Sequence, residues 1–114
     1  MPHRDHVRLG WIYLAREPLA RAAARFIDDL QRLAAALGAP GKYHETLTWA
    51  YLLWIHACMI SGPTPADSEA FLSAHPELLV PGGLRRFYRE ETLAAPRARR
   101  VFVLPDLRAI RDLP

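Results

Sequence analysis

Between Lys42 and Ile60 the chain reads KYHETLTWAYLLWIHACMI, and this stretch decides the fold. Leu47, Trp49, Ala50, Leu52, Leu53, Trp54 and Ile55 leave its middle apolar nearly all round. A surface helix carries its apolar residues on one stripe, and a helix without a polar face is covered on several sides. The spacing therefore predicts a central helix over about 42–60. The run from Leu47 to Ile60 is interrupted by Thr48 and His56 and is shorter than the roughly 18 residues of a membrane span, so it reads as core.

Toward the N-terminus, Pro18 to Leu37 carries Leu19, Ala23, Phe26, Leu30, Leu33 and Leu37 on one stripe, widened by Ala22, Ile27 and Ala34. Arg25 with Asp29 and Asp28 with Arg32 are spaced for i,i+4 pairs on the other face. Gly38 suits a C-cap, and Ala39, Pro40 and Gly41 a turn. Before it, Val7, Trp11, Leu14 and Ala15 predict an amphipathic helix from Asp5 to Arg16. Pro18 ends that helix by pushing Glu17 out of helical geometry.

Toward the C-terminus the elements shorten. Ser61 to Pro65 is a breaker cluster, and a short helix opens at Asp67 and ends near His75 and Pro76. Leu78, Leu79 and Val80 form an apolar plug, Leu84 to Tyr88 another short helical piece, and Pro96 to Arg100 one more. Val101 to Leu104 has strand-like composition but no partner strand, so an extended segment packed on the bundle is expected. The fold class expected is all-α: a small orthogonal bundle of four or five helices with an extended C-terminal segment, one domain over residues 1–114.

Composition narrows the setting. Apolar residues make up 51 % of the chain and charged residues 24 %, a globular rather than a disordered balance. The single cysteine, Cys58, has no partner for an internal disulfide, and the polar N-terminus with Asp5 is unlike a secretory signal. A reduced cytoplasmic setting, with no membrane, is the expectation. The net charge of +3 is uneven: residues 1–80 hold seven Lys/Arg against eight acids, and 81–114 hold eight Arg against four. All basic residues but Lys42 are arginine, and with the abundant alanine this reads as the codon bias of a GC-rich genome.

Two polar stripes interrupt the apolar pattern. His3 and His6 are one turn apart, and Gly10 and Tyr13 continue the same strip of the first helix. In the central helix His44, Thr48 and Tyr51 share a face. Facing each other, the stripes would gather His3, His6 and His44 as three nitrogen ligands for a transition-metal ion such as zinc, copper or iron. Glu45, Tyr13 and Tyr51 would then serve as oxygen ligands or as proton-transfer groups for catalysis on a small molecule. The competing assignments are exposed or capping histidines, since H-x-x-H lacks the H-E-x-x-H spacing of a metalloprotease.

Trp11, Tyr13, Trp49, Tyr51 and Trp54 suit a flat ligand, although helical spacing favours core packing. Cys58 lies two residues from His56, which points their side chains apart on a helix and makes the cysteine a buried thiol. Arg85, Arg86, Arg89, Arg97, Arg99 and Arg100 are candidates for an anion or nucleic-acid patch, but Glu90, Glu91 and Asp106 lie close in sequence and favour a solvated face.

In its H-x-x-H element at His3 and His6, in Lys42-Tyr43-His44-Glu45-Thr46, and in Phe102-Val103-Leu104-Pro105-Asp106, the chain resembles a group of short bacterial helical proteins. The resemblance implies that these segments belong to one compact domain and carries over no activity. The leading expectation is a metal- or ligand-dependent protein, an enzyme on a small molecule being one form of it. A non-catalytic interaction module, such as a homodimer, is the competing class, and an anion or nucleic-acid binder the third.

Overall fold

The computed structural model describes residues 2–108; Met1 and 109–114, part of the domain expected from sequence, lie outside the described residues. The fold is all-α: six α-helices and three 3-10 turns, with no strand among the described residues. The helices are α1 (His3–Arg16), α2 (Leu19–Ala36), α3 (Glu45–Ile60), α4 (Ser68–Ala74), α5 (Glu90–Ala94) and α6 (Pro96–Arg100). The 3-10 turns are Pro40–Lys42, Pro76–Leu79 and Gly83–Arg86. No helix among the described residues is long and apolar enough to cross a membrane.

α1 starts at His3, two residues before the expected Asp5, behind an extended Pro2. It ends where Glu17, extended at φ −139° and ψ 158°, precedes Pro18, as the steric demand of a proline ring requires. α2 closes in a Schellman motif: Gly38 sits at φ 71°, its N–H donates to Ala35 O at 3.0 Å, and the Ala39 N–H donates to Ala34 O at 2.8 Å. That left-handed position favours glycine. The expected start of α3 at Lys42 moves to Glu45, because Pro40 nucleates a separate 3-10 turn and Tyr43 is extended. His44 is the N-cap, its Nδ1 accepting the Leu47 N–H at 3.1 Å. α4 is capped by Asp67, which accepts the Ala70 N–H at 2.9 Å.

α3 is the central element. α1 and α2 lie against one side of it, and α6 with the 3-10 turns at 76–79 and 83–86 against others. Ala50, Leu52, Trp54 and Ile55 are buried in the core with Val7, Leu14, Ala22, Ala23 and Phe26 from the first two helices. Phe71, Leu72, Leu78, Leu84, Phe87 and Tyr88 complete it from the C-terminal half. α1 approaches α3 at Gly10, where a Cβ would stand 3.0 Å from Ile55 Cδ1. The glycine in the polar strip of α1 is thus a point of close helix packing.

The stretch after α6 is extended, as expected, and side chains together with one backbone carbonyl, rather than a strand, satisfy its backbone. The buried Thr46 hydroxyl donates to Val101 O at 2.9 Å and accepts the Val103 N–H at 3.0 Å. The Tyr88 hydroxyl donates to Val103 O at 2.7 Å, and the N–H groups of Asp106 and Leu107 donate to Phe87 O. These bonds pin the strap over α3 and account for backbone groups that a strand partner would otherwise have to satisfy.

Candidate functional site

A cleft of about 390 Å³ opens where α1, α2, α3 and the turn at 40–42 meet. Its apolar wall is built by Val7 of α1, by Phe26, Leu30, Leu33, Ala34 and Leu37 on and just after α2, and by Leu47, Leu52 and Ile55 of α3. The stripe that forms α2 is therefore only partly spent on the core: Ala22, Ala23 and Phe26 are buried, whereas Leu37 is 70 % exposed at the rim. Polar groups enter from His3, His6, Lys42, Tyr43, His44, Thr48 and Tyr51. No Asp or Glu is among the described residues that line it.

Of the residues singled out by sequence, His3, His6, His44, Thr48 and Tyr51 share this cleft. The rings of His3 and Tyr51 stand 4.7 Å apart, so the strips on α1 and α3 meet across it. Tyr13 and Glu45 do not line it. The Tyr13 strip turns outward beyond Gly10, where its hydroxyl donates to Asp29 and its ring meets Phe26 edge-on at 5.3 Å. Glu45 accepts the Tyr43 hydroxyl at 2.5 Å.

The three histidines of the expected metal triad differ in their bonding. His44 Nδ1 accepts the Leu47 N–H, and its Nε2–H donates to Leu93 O at 2.9 Å. With both nitrogens engaged by backbone, the 7 % exposed His44 has no lone pair left for a metal and acts as a cap joining α3 to α5. His3 Nε2 lies 2.8 Å from Leu78 O and donates to it. His3, His6 and His44 do not bring three ligand atoms within 4.8 Å of one another; among the described residues that separation is met only by Cys58, His75 and Glu77.

His6 is the uncommitted histidine of the cleft, with no side-chain hydrogen bond to another described residue. Burial holds its imidazole below the usual 6.5, with His3 adding to the effect, so near neutral pH it offers one donor and one acceptor. The Tyr51 ring lines the cleft, and burial raises the pKa of its hydroxyl, an effect opposed by the nearby Gly83 and Leu84 backbone. The Thr48 hydroxyl donates to His44 O at 2.8 Å, leaving its oxygen able to accept. Lys42, the one lysine of the chain, is exposed at the mouth.

The other aromatic candidates are packing groups. Trp11 stacks on Phe71 at 5.9 Å, Trp54 on Tyr51 at 6.0 Å, and Trp54 meets Phe87 edge-on at 5.1 Å. The C-terminal arginines are partly committed: Arg85 pairs with Glu90 at 3.1 Å, Arg86 lies 5.8 Å over the Trp54 ring, and Arg99 donates to Gly41 O at 2.7 Å.

A second cluster escaped the sequence reading. The half-buried Cys58 thiol lies 3.9 Å from Glu77 Oε1, which also accepts from His75 Nδ1 at 3.1 Å. Burial, reinforced by the Glu77 carboxylate, raises the thiol to about 11. Only the His75-x-Glu77 spacing was visible in sequence, and nothing there tied it to Cys58. Comparison with known protein families, curated proteins and solved structures finds no match. The meaning of both sites therefore rests on their own geometry.

Proposed function

We propose that the chain binds a small, largely apolar molecule bearing an anionic or acceptor end, such as a medium-chain or aryl carboxylate, in the cleft between α1, α2 and α3. The observation that carries this reading is the cleft itself: about 390 Å³ walled by aliphatic and aromatic side chains, with a few polar groups at defined places. Ligand sites of small molecules have this size and this balance. The absence of a carboxylate from the described lining, with Lys42 at the mouth and His6 uncommitted inside, favours an acceptor on the ligand over a cation. The apolar body takes its affinity from burial of carbon surface. His44 holds the α3 wall in place through its bonds to the Leu47 N–H and Leu93 O.

The test is calorimetric titration of decanoate and of 1-naphthoate into the wild type, Lys42→Ala and Ala34→Trp. Saturable binding that Ala34→Trp removes by filling the cleft, and that Lys42→Ala weakens about twofold to fivefold through loss of one exposed charge, is the expected result. No saturable heat with either probe, or binding indifferent to Ala34→Trp in a folded protein, overturns the reading.

A further inference from the structure

We propose that Cys58, His75 and Glu77 form a zinc site, separate from the cleft, that clamps the C-terminal part of α3 to the end of α4 and the turn at 76–79. Three features place the ligands there. Cys58 lies near the end of α3, His75 is the C-cap of α4, and Glu77 is in the first turn of the 3-10 segment that follows. The Pro-rich loop after α3 returns the chain so that residues 17 and 19 positions from Cys58 reach its thiol. The His75 ring is held by Phe71, with ring centroids 4.7 Å apart, which orients the imidazole before any ion arrives.

The spacing suits tetrahedral zinc. Bonds of about 2.3 Å to sulfur and about 2.0–2.1 Å to nitrogen and oxygen set ligand edges of about 3.4 Å for nitrogen–oxygen and about 3.6 Å for sulfur–oxygen. The observed His75–Glu77 and Cys58–Glu77 separations are 3.1 and 3.9 Å, and all three ligand atoms lie within 4.8 Å of one another. Closing on an ion takes side-chain adjustments of a few tenths of an ångström on these two edges. Thiolate, imidazole and carboxylate together form a borderline donor set, which favours zinc over the hard cations magnesium and calcium. On binding, the thiol proton leaves to solvent, and the imidazole proton that Nδ1 donates to Glu77 moves through water to Nε2, freeing the Nδ1 lone pair for the ion. His75 and Glu77 are partly exposed, at 26 and 31 % of their side chains, so the fourth position opens to water.

The site is tested by stripping tag-free protein with a chelator and titrating it with Co2+ alone, then adding Zn2+. One equivalent of Co2+ with a near-ultraviolet thiolate-to-cobalt band, bleached by Zn2+, is the expected result. Cys58→Ser must abolish the band, and Glu77→Gln, on the partly exposed rim, must weaken uptake at least about tenfold without touching the core. A His3→Ala/His6→Ala double variant must leave band and stoichiometry unchanged. Absence of the band in the wild type, tight uptake that survives Glu77→Gln, or uptake lost in the His3/His6 variant overturns the proposal. None of these results bears on carboxylate binding in the cleft.

Discussion

The two sides of α3 are finished differently. On one side Trp54 packs edge-on to Phe87, the Thr46 hydroxyl holds both Val101 and Val103, and Tyr88 closes the strap, so the polar groups that enter this side meet protein partners. On the other side Leu47 and Thr48 face α1 and α2 across a cleft that no side chain fills, and His6 stands there uncommitted. One helix thus supports a sealed interface and an unfinished one. Sealing is what gives stability, because dense packing and satisfied hydrogen bonds leave little to gain from a ligand. An apolar wall left open has burial still to gain.

This contrast is most strongly broken by removing aromatic bulk from the sealed side. Phe87 is fully buried, and Phe87→Ala is expected to cost about 3–5 kcal/mol, read as a lower urea midpoint. A cost under 1 kcal/mol would mean that this interface is not tightly packed. Thr46→Val keeps the shape but strands Val101 O and Val103 N–H, and should cost about 2–3 kcal/mol while exposing the strap to faster amide exchange. An unchanged exchange rate at Val103 would show that the strap is held by other means.

The smallest effect belongs to the open side. His6 is held below its usual 6.5 by burial, so the folded state resists its protonation. Its contribution to stability is therefore fully present above pH 6.5 and is lost as the pH falls from there through the depressed folded value. The imidazole proton resonances of His6 should titrate with a midpoint below 6.5, and His6→Gln should reduce the acid-side loss of stability. A midpoint at or above 6.5 contradicts the buried placement.

Much of this contrast was legible in sequence, at particular places. The stripe from Leu19 to Leu37 with Gly38 after it marked α2 almost to the residue, because an 18-residue helix repeats its pattern several times and glycine alone sits easily at a left-handed cap. The i,i+3 and i,i+4 spacing of His3 with His6, and of His44, Thr48 and Tyr51, placed those residues on facing strips, since helical periodicity is a local property. α5 was missed because five residues do not complete a repeat. Thr46 as the clasp of the strap, Leu93 as the partner of His44 and the meeting of Cys58 with His75 and Glu77 were illegible for a common reason. Each depends on where a distant segment returns, and no spacing in the sequence encodes that. The same limit applies to the histidines: helical periodicity put His3, His6 and His44 on one cleft, but the engagement of His44 by the Leu47 N–H and Leu93 O was not readable from spacing.

Amide chemical-shift mapping with decanoate tests the division of α3 most directly. The expected result is saturable shifts concentrated at His6, Val7, Leu30, Leu33, Leu47 and Thr48, with Phe87, Tyr88 and Val103 on the sealed side unmoved. Shifts centred on the strap, or no saturable shifts anywhere, would contradict the assignment of the cleft as the working surface of this protein.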